Sequence, residues 1–368
     1  MAFFRKTTIC VSLALGLIAS VQARDGDLDR SFNTFGMRNF QPNKLALPLG
    51  SQMDLAILPD GKMLLGLDVA DNQNAPADFG VMRLNADGSA DPSFGSEGLT
   101  RVAFDRPFTN KQDNFSAFAV QGDGKILLGG TIGGELASGD DMAIVRLDAN
   151  GKLDPSYGTA GSAILPFDLS AEGDRNDTLH SLSLQPDGNL LAAGWASTTN
   201  NNFAMAIARM TTGGIRDTSF DVDGRVTISF GDYAAAAQTR MLADGQHILV
   251  AGVANASPGS TNYDFAVARL TKQGALDPQF GVGGKVTIPF DIAGSMQDIA
   301  MDFVELEDGR LLVCGSVQVT SNSDDLGCVR LLANGSMDPS YPKLLVPVDL
   351  GGDQSDNLVR MQRDGQGR

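Results

Sequence analysis

An arginine and an aspartate eight residues apart occur five times along the chain: Arg83 and Asp91, Arg146 and Asp154, Arg209 and Asp217, Arg269 and Asp277, Arg330 and Asp338. A guanidinium and a carboxylate at fixed spacing have two chemical readings. One is an ion pair that fixes the link between one repeat and the next; the other is a ring of arginines that receives an anionic ligand. The first is favoured, because apolar residues flank the arginines, as in Ala268-Arg269-Leu270. A ring site would instead show polar or aromatic neighbours at constant positions facing the same way. The aromatic residue three beyond each aspartate (Phe94, Tyr157, Phe220, Phe280, Tyr341) reads as a packing wedge. No residue is assigned a catalytic role.

Carboxylates also crowd several loops: DVADNQNAPAD at 68–78, ASGDD at 137–141, FDLSAEGDRND at 167–177 and TSNSDD at 320–325. Asp78, Asp141, Asp264 and Asp325 each stand five residues before an arginine of the repeated pair. Such an aspartate ordinarily caps its own backbone. Calcium, which needs six or more oxygen ligands, is the one cofactor these loops leave open, although none matches an EF-hand. Only two histidines occur, His180 and His247, and neither belongs to the repeated pattern as read from sequence. There is no GxSxG elbow and no metal-spaced histidine cluster. GGTIGGE at 129–135 lacks the following helix that an anion site requires. Cys314 and Cys328 fall on strands expected to be adjacent, where a disulfide is geometrically open, yet each also fills a column of small or apolar residues. Trp195 ends a strand and reads as core or rim, and is the one aromatic to watch as a ligand platform.

The elements that position these residues repeat with them. The arginines recur at steps of 63, 63, 60 and 61, and an Asp-Gly pair recurs at 60, 123, 187, 244 and 308. A partial copy, LDRSF, precedes the first repeat at 28–32. Within residues 154–214, GSAILPF, LHSLSLQ, LLAAGW and FAMAIARM read as four successive short strands, with the turn Pro-Asp-Gly-Asn at 186–189 between the second and third. Four-stranded repeats of even spacing predict an all-β fold, a β-propeller whose blades each need neighbours to bury their faces. Gly80, Ala143, Ala206, Ala266 and Gly327 form one small column, and Gly66, Gly129, Ala193, Ala251 and Cys314 another. These are packing positions.

RLNADGSADPSFG at 83–95, RLDANGKLDPSYG at 146–158 and RLTKQGALDPQFG at 269–281, with DGKILLGG at 123–130, resemble the delta-60 repeat family. The resemblance covers nearly all the chain after residue 23. It implies propeller-like, secreted or surface-associated bacterial proteins and supplies no catalytic residues. Thr218 replaces the usual proline in one repeat, and DPSYPKLL at 338–345 lacks the usual GxxG run.

Residues 1–23, MAFFRKTTICVSLALGLIASVQA, have the pattern of a secretory signal, with Arg5 and Lys6 before an apolar run too short to span a bilayer. An exported protein is expected, periplasmic, extracellular or surface-associated, with residues 24–368 forming one repeat domain. The 28 Lys and Arg against 44 Asp and Glu give a net charge of −16, which disfavours nucleic acid and anionic membrane as partners. After the fifth repeat the chain carries half of another, ending past Asp364-Gly365. Three expectations follow: an array cut short at its C-terminus, five blades with the half repeat outside them, or pairing of the surplus strands with another chain. The variable loops favour a non-catalytic binding or scaffold module for a protein or glycan. The alternative is a hydrolase or other enzyme with a metal-assisted site in the central channel.

Overall fold

Strands account for all the regular structure in the computed structural model, which describes residues 53–72, 75–104, 112–134, 139–169, 175–198, 202–255, 259–290, 292, 297–320, 323–347, 356, 358 and 360–363. The expected secretory signal at 1–23, the partial repeat at 28–32 and the Asp364-Gly365 pair lie outside the described residues.

Five four-stranded sheets follow one another along the sequence. Sheet I contains β1 (Met53–Ile57), β2 (Met63–Val69), β3 (Asp78–Leu84) and β4 (Leu99–Val102). Sheet II contains β5 (Asp113–Val120), β6 (Ile126–Ile132), β7 (Asp141–Leu147) and β8 (Ser162–Leu165). Sheet III contains β9 (Asp177–Leu184), β10 (Leu190–Ser197), β11 (Phe203–Met210) and β12 (Arg225–Ile228). Sheet IV contains β13 (Ala234–Met241), β14 (His247–Asn255), β15 (Tyr263–Thr271) and β16 (Lys285–Ile288). Sheet V contains β17 (Asp298–Glu305), β18 (Leu311–Thr320), β19 (Ser323–Leu331) and β20 (Leu344–Val346). The all-β, propeller-type fold expected from the repeats is the fold observed.

The sheet and the sequence repeat are out of phase by one strand. GSAIL was expected to open a repeat, but Ser162–Leu165 is the outer strand of sheet II, and Arg225–Ile228 pairs with β11 rather than with β13. The cause is the turn after each third strand. Arg209 N–H donates to the Gly224 carbonyl and Asp217 N–H to the Arg209 carbonyl, so the DTSFDVDG segment folds back on the strand it follows. The Arg–Asp link therefore lies inside a sheet, not between one blade and the next. By the same shift, Leu344–Val346 of the C-terminal half repeat completes sheet V. Of its expected second strand, the described residues are Leu358 and 360–363, and none is in a strand. There Met361 N–H donates to Asp302 at 2.8 Å and Arg363 pairs with Glu307 at 2.8 Å.

The chain divides into two compact units, residues 1–133 with 145–154, and residues 134–144 with 155–368. The first has its core in sheet I, where Met63, Leu67, Val69, Met82 and Leu84 are buried together. The second buries the facing sides of consecutive sheets. In β14, Ile248 and Val250 pack with Leu191, Ile207 and Phe220 of sheet III, while Leu249 and Ala251 pack with Phe303, Val313 and Val329 of sheet V. Alternating strand geometry thus sends successive side chains to different neighbours, which is why ILVAGVA at 248–254 is apolar without a polar face. Each such aliphatic side chain contributes roughly 1.5–3 kcal/mol.

One glycine position shows how tightly the inner two strands meet. The β9–β10 register shifts at Ala193/Gly194, and a Cβ on Gly194 would stand 1.8 Å from the Thr178 carbonyl oxygen. Gly252 and Gly315 meet Ala235 and Ile299 in the same way, at 2.0 and 1.9 Å, beside the bulges of sheets IV and V. Among the described residues no helix is long and apolar enough to cross a membrane.

Candidate functional site

The repeated arginine is a clasp. In all five repeats its Nε donates to the aspartate eight residues on, at 2.8 Å for Arg83–Asp91, 2.9 Å for Arg146–Asp154, 2.7 Å for Arg209–Asp217, 2.7 Å for Arg269–Asp277 and 2.8 Å for Arg330–Asp338. The same guanidinium reaches the carbonyl of the next repeat's turn: Arg83 to Ala149, Arg209 to Lys272 and Arg269 to Ala333. It also lies over the motif aromatic, 4.7 Å from Phe94, 4.8 Å from Phe220, 4.8 Å from Phe280 and 4.5 Å from Tyr341. Phe94, Tyr157, Phe220 and Phe280 are buried, so the ring is a wedge. A guanidinium engaged on a carboxylate, a carbonyl and a ring has little left for a ligand.

The clasp carboxylate has a further donor on the second strand or its turn. Lys62 meets Asp91 at 2.7 Å, Asn189 meets Asp217 at 3.3 Å, His247 Nε2 stands 3.5 Å from Asp277, and Arg310 meets Asp338 at 3.0 Å. His247 therefore does belong to the repeated pattern, contrary to expectation; its differing turn length disguised the column. Bonds from Lys62 and then Ser93 hold the Asp91 carboxyl well below the usual range, and Ser340 ahead of Arg310 does the same for Asp338. Burial pushes Asp217 up, but Ser219 and Arg209 overcome it, and its pKa is lowered. The other histidine, His180, sits on β9 with Nδ1 2.9 Å from the Ala236 carbonyl, and burial lowers its pKa.

Cys314 and Cys328 are bonded. They face each other across β18 and β19, where sheets III and IV carry Ala193 opposite Ile207 and Ala251 opposite Val267. The bond thus replaces a small–branched packing pair.

The acidic loops go to different partners. Asp71 meets Arg101 at 2.5 Å, and Asp78 meets the same guanidinium. Residues 137–141 and 167–177, two of the segments considered for calcium, come together where described. Asp177 N–H donates to the Asp140 carbonyl at 2.7 Å, and Asp140 N–H donates to Asn176 Oδ1 at 2.8 Å. Asp177 Oδ2 accepts the Phe167 amide at 2.6 Å. Burial pushes the Asp177 carboxyl up to about 7, reinforced by the charges of Asp141 and Asp168 and opposed by the Phe167 and Asp168 amides. The amide latch recurs as Phe104 on Asp113 and Phe290 on Asp298, both at 2.8 Å. In this latch the carboxylate ties the end of one sheet to the start of the next. In the 320–325 loop, the Asp324 carbonyl accepts the Asp356 amide at 2.7 Å. Among the described residues no three His, Cys, Asp or Glu side chains are already grouped to hold a metal ion.

One feature is not repeated. At the loop edge of sheets III and IV, four rings form a file: Trp195 to Phe203 at 4.9 Å, Phe203 to Tyr233 at 5.5 Å, and Tyr233 to Tyr263 at 5.0 Å, all edge to face. Each is half-buried. The backbone beneath is fixed by Phe203 N–H on the Asp232 carbonyl, 2.8 Å, and Tyr233 N–H on Asn255 Oδ1, 3.2 Å. Asp232 Oδ2 also accepts the Gly259 amide at 2.6 Å. Burial, and then the neighbouring Tyr263, raises the Tyr233 phenol above its ordinary value. Sequence reading singled out Trp195 and missed Phe203, Tyr233 and Tyr263. The signal was there in the columns: Phe203 and Tyr263 stand where other repeats carry Ala77, Asp140 and Asp324, and Tyr233 stands where others carry Gln112, Asn176 and Gln297.

A family model described as "Domain of unknown function (DUF5122) beta-propeller" matches residues 58–94, 121–157, 185–220, 243–280 and 306–341, together half of the chain. No curated protein matches the sequence. Among solved structures, the chain is similar to Hadza microbial sialidase Hz136 at 13% identity and TM-score 0.45, over 80% of this chain and 58% of that one. A glucose dehydrogenase matches at 11% identity and TM-score 0.41, over 84% and 92%. An exo-1,5-alpha-L-arabinanase from a bovine ruminal metagenomic library matches at 11% identity and TM-score 0.36, over 84% and 100%. These likenesses carry no argument about activity.

Proposed function

The chain belongs to the DUF5122 β-propeller family, and on that footing we propose that it is an exported, non-catalytic binding module that receives a glycan on the aromatic edge of sheets III and IV. The observation that carries this reading is the file of Trp195, Phe203, Tyr233 and Tyr263. Tyrosine and tryptophan combine an apolar face with a polar tip, which suits a ligand whose rings are apolar on their C–H faces and hydroxylated at their rims. A packing role alone would place the four rings inside the sheets, as it does the motif phenylalanines. Asp232 and Asn255 bring polar groups beside the rings. The net charge of −16 favours a neutral ligand over a polyanion.

Export is supported by the leader pattern of residues 1–23 and by the Cys314–Cys328 bond, which persists in oxidising compartments. A periplasmic, surface or extracellular site in a bacterium follows, in keeping with the delta-60 resemblance.

The enzyme reading has one observation in its favour. Asp177, a carboxyl titrating near neutrality beside Asp141 and Asp168, is the kind of pairing that acid–base catalysis uses. Its complete burial and the recurrence of its amide latch in two other sheets weigh for structure.

Trp195 is the only tryptophan, so its fluorescence reports the edge directly. Titration with a panel of neutral oligosaccharides is expected to give a saturable emission change, abolished by Tyr233→Ala with the fold retained by circular dichroism. No saturable change across neutral and acidic glycans, or release of new reducing ends on incubation, overturns the proposal; the second result establishes the enzyme instead.

A further inference from the structure

Of the links between consecutive sheets, the one from sheet III to sheet IV is the shortest. Residues 231–233 separate Phe230 from Ala234, against 105–112, 168–176 and 291–297 at the other three. The same junction lacks the carboxylates of its counterparts. Three positions are concerned: five residues before the clasp arginine, two beyond the outer-strand proline or its equivalent, and the opening of the next inner strand. They carry Asp141, Asp168 and Asp177 after sheet II, and Asp264, Asp291 and Asp298 after sheet IV. After sheet III they carry Ala204, Gly231 and Ala234. A short link without these charges seats Tyr233 between Phe203 and Tyr263 and makes the four rings continuous.

The geometry of that file selects among ligands. Its steps of 4.9, 5.5 and 5.0 Å are close to the advance of one pyranose along an extended chain. Successive ring planes are turned by 89°, 65° and 65°. A flat ligand can lie against one of these rings but not also against the next. A chain of pyranoses turns at each glycosidic bond, and its C–H faces can meet one ring after another. The middle of the file carries a carboxylate. Asp232 precedes Tyr233, and its carbonyl holds the Phe203 amide at 2.8 Å. Its side chain is half-buried, with Oδ2 on the Gly259 amide at 2.6 Å and Oδ1 3.5 Å from Asn202 Nδ2. An ionised carboxylate has about four acceptor sites, so vicinal sugar hydroxyls can donate to it. An acidic sugar would meet like charge there.

Resting on the glycan reading above, we propose that this edge takes at least three consecutive units of an unbranched, neutral glycan. The chain runs from Trp195 across the short link to Tyr263, and Asp232 accepts hydroxyls of the unit in the middle. Recognition is then spread along the chain, so that affinity depends on its length, and Asp232 excludes uronates.

The test is calorimetric titration of the purified full chain with cello-, xylo- and manno-oligosaccharides of one to six units, and with an oligogalacturonate of matched length. In the series that binds, affinity is expected to rise roughly fivefold to tenfold with each added unit up to three, and to level by four. Tyr263→Ala should shorten the file and remove the gain from the last of those units, leaving shorter oligomers unchanged. Asp232→Asn should weaken the neutral trisaccharide and admit the oligogalacturonate. The length series uses the unaltered protein, so it decides whether or not either variant folds. Equal affinity for monosaccharide and hexasaccharide overturns this proposal and leaves the glycan reading standing, as does binding of the oligogalacturonate as tightly as the neutral chain. No binding by any oligomer overturns both.

Discussion

Replacing Arg209 separates a clasp from a ligand ring. Its side chain is 9% exposed and that of Asp217 14%, with three directional bonds: Nε to Asp217 at 2.7 Å, Nη2 to Ser219 at 2.9 Å, and Nη1 to the Lys272 carbonyl. The guanidinium also lies 4.8 Å over Phe220. Arg209→Lys keeps the charge but can serve one acceptor in place of three. Two charge-assisted bonds at about 1.5 kcal/mol each, and a stack at about 0.5–1 kcal/mol, put the loss near 3–4 kcal/mol. Arg209→Ala leaves Asp217 with only Ser219 and Asn189 as side-chain donors, and about 3–5 kcal/mol is expected. Urea unfolding followed by circular dichroism should show the midpoint falling while the m-value stays constant. A clasp also predicts that any glycan affinity measured through Trp195 is unchanged wherever the variant remains folded. An Arg209→Ala protein within 1 kcal/mol of the parent that has lost ligand binding would refute the clasp and restore the arginine ring.

Three further outcomes are expected. The pair of substitutions Cys314→Ala and Cys328→Val recreates the Ala251–Val267 pair of sheet IV, so it should fold without the bond and lose no more than about 3 kcal/mol, read by thermal melting. Gly194→Ala forces a Cβ to 1.8 Å from the Thr178 carbonyl, and should abolish soluble folded protein or lower the Tm by more than 10 °C, whereas Gly245→Ala, with open space around it, should lose only the cost of its positive φ. Asp91, Asp217, Asp277 and Asp338 all have folded pKa values below the unfolded carboxylate value of about 3.9, so their contribution is complete above that pH and is lost as pH falls through and below it. Between pH 7 and 4 Asp177, whose carboxyl is raised to about 7, works the other way and adds stability as pH falls; below pH 4 the urea midpoint is expected to drop, and an Asp217→Asn variant should show a shallower drop there.

What the sequence made legible was whatever depends on local spacing. The eight-residue offset from Arg209 to Asp217 is one turn folded back on its own strand, so every copy must keep it. Cys314 and Cys328 were legible as residues of adjacent strands, but each also fits a column of small or apolar residues, so the sequence left the bond open and the structure closes it. The phase of the sheets was not visible. RVTI at 225–228 carries the same pattern whether it opens a sheet or closes one, and only the Arg209 to Gly224 backbone bond decides. The aromatic file was hidden for the opposite reason. Trp195, Phe203, Tyr233 and Tyr263 come from three strands and a linker in two sheets, and no periodicity links them.

The two unrepeated features concern one place. Where the chain passes from sheet III to sheet IV it carries Ala204, Gly231 and Ala234 at the three junction positions, with Phe203 and Tyr233 next to the first and the last, while Tyr263 stands beside the retained Asp264. A junction carrying three carboxylates must neutralise them before aromatic rings can be seated there, since buried charge and apolar surface compete for the same volume. Exchanging the whole set at once avoids the intermediate case of one or two stranded charges. Ala234 and Ala236 pack instead with Ile248, Ala254 and Met205 in the core between sheets III and IV. The other junctions keep their carboxylates and hold neighbouring segments together. This one gives that cohesion over to apolar and aromatic contact, which is what the proposed glycan edge requires.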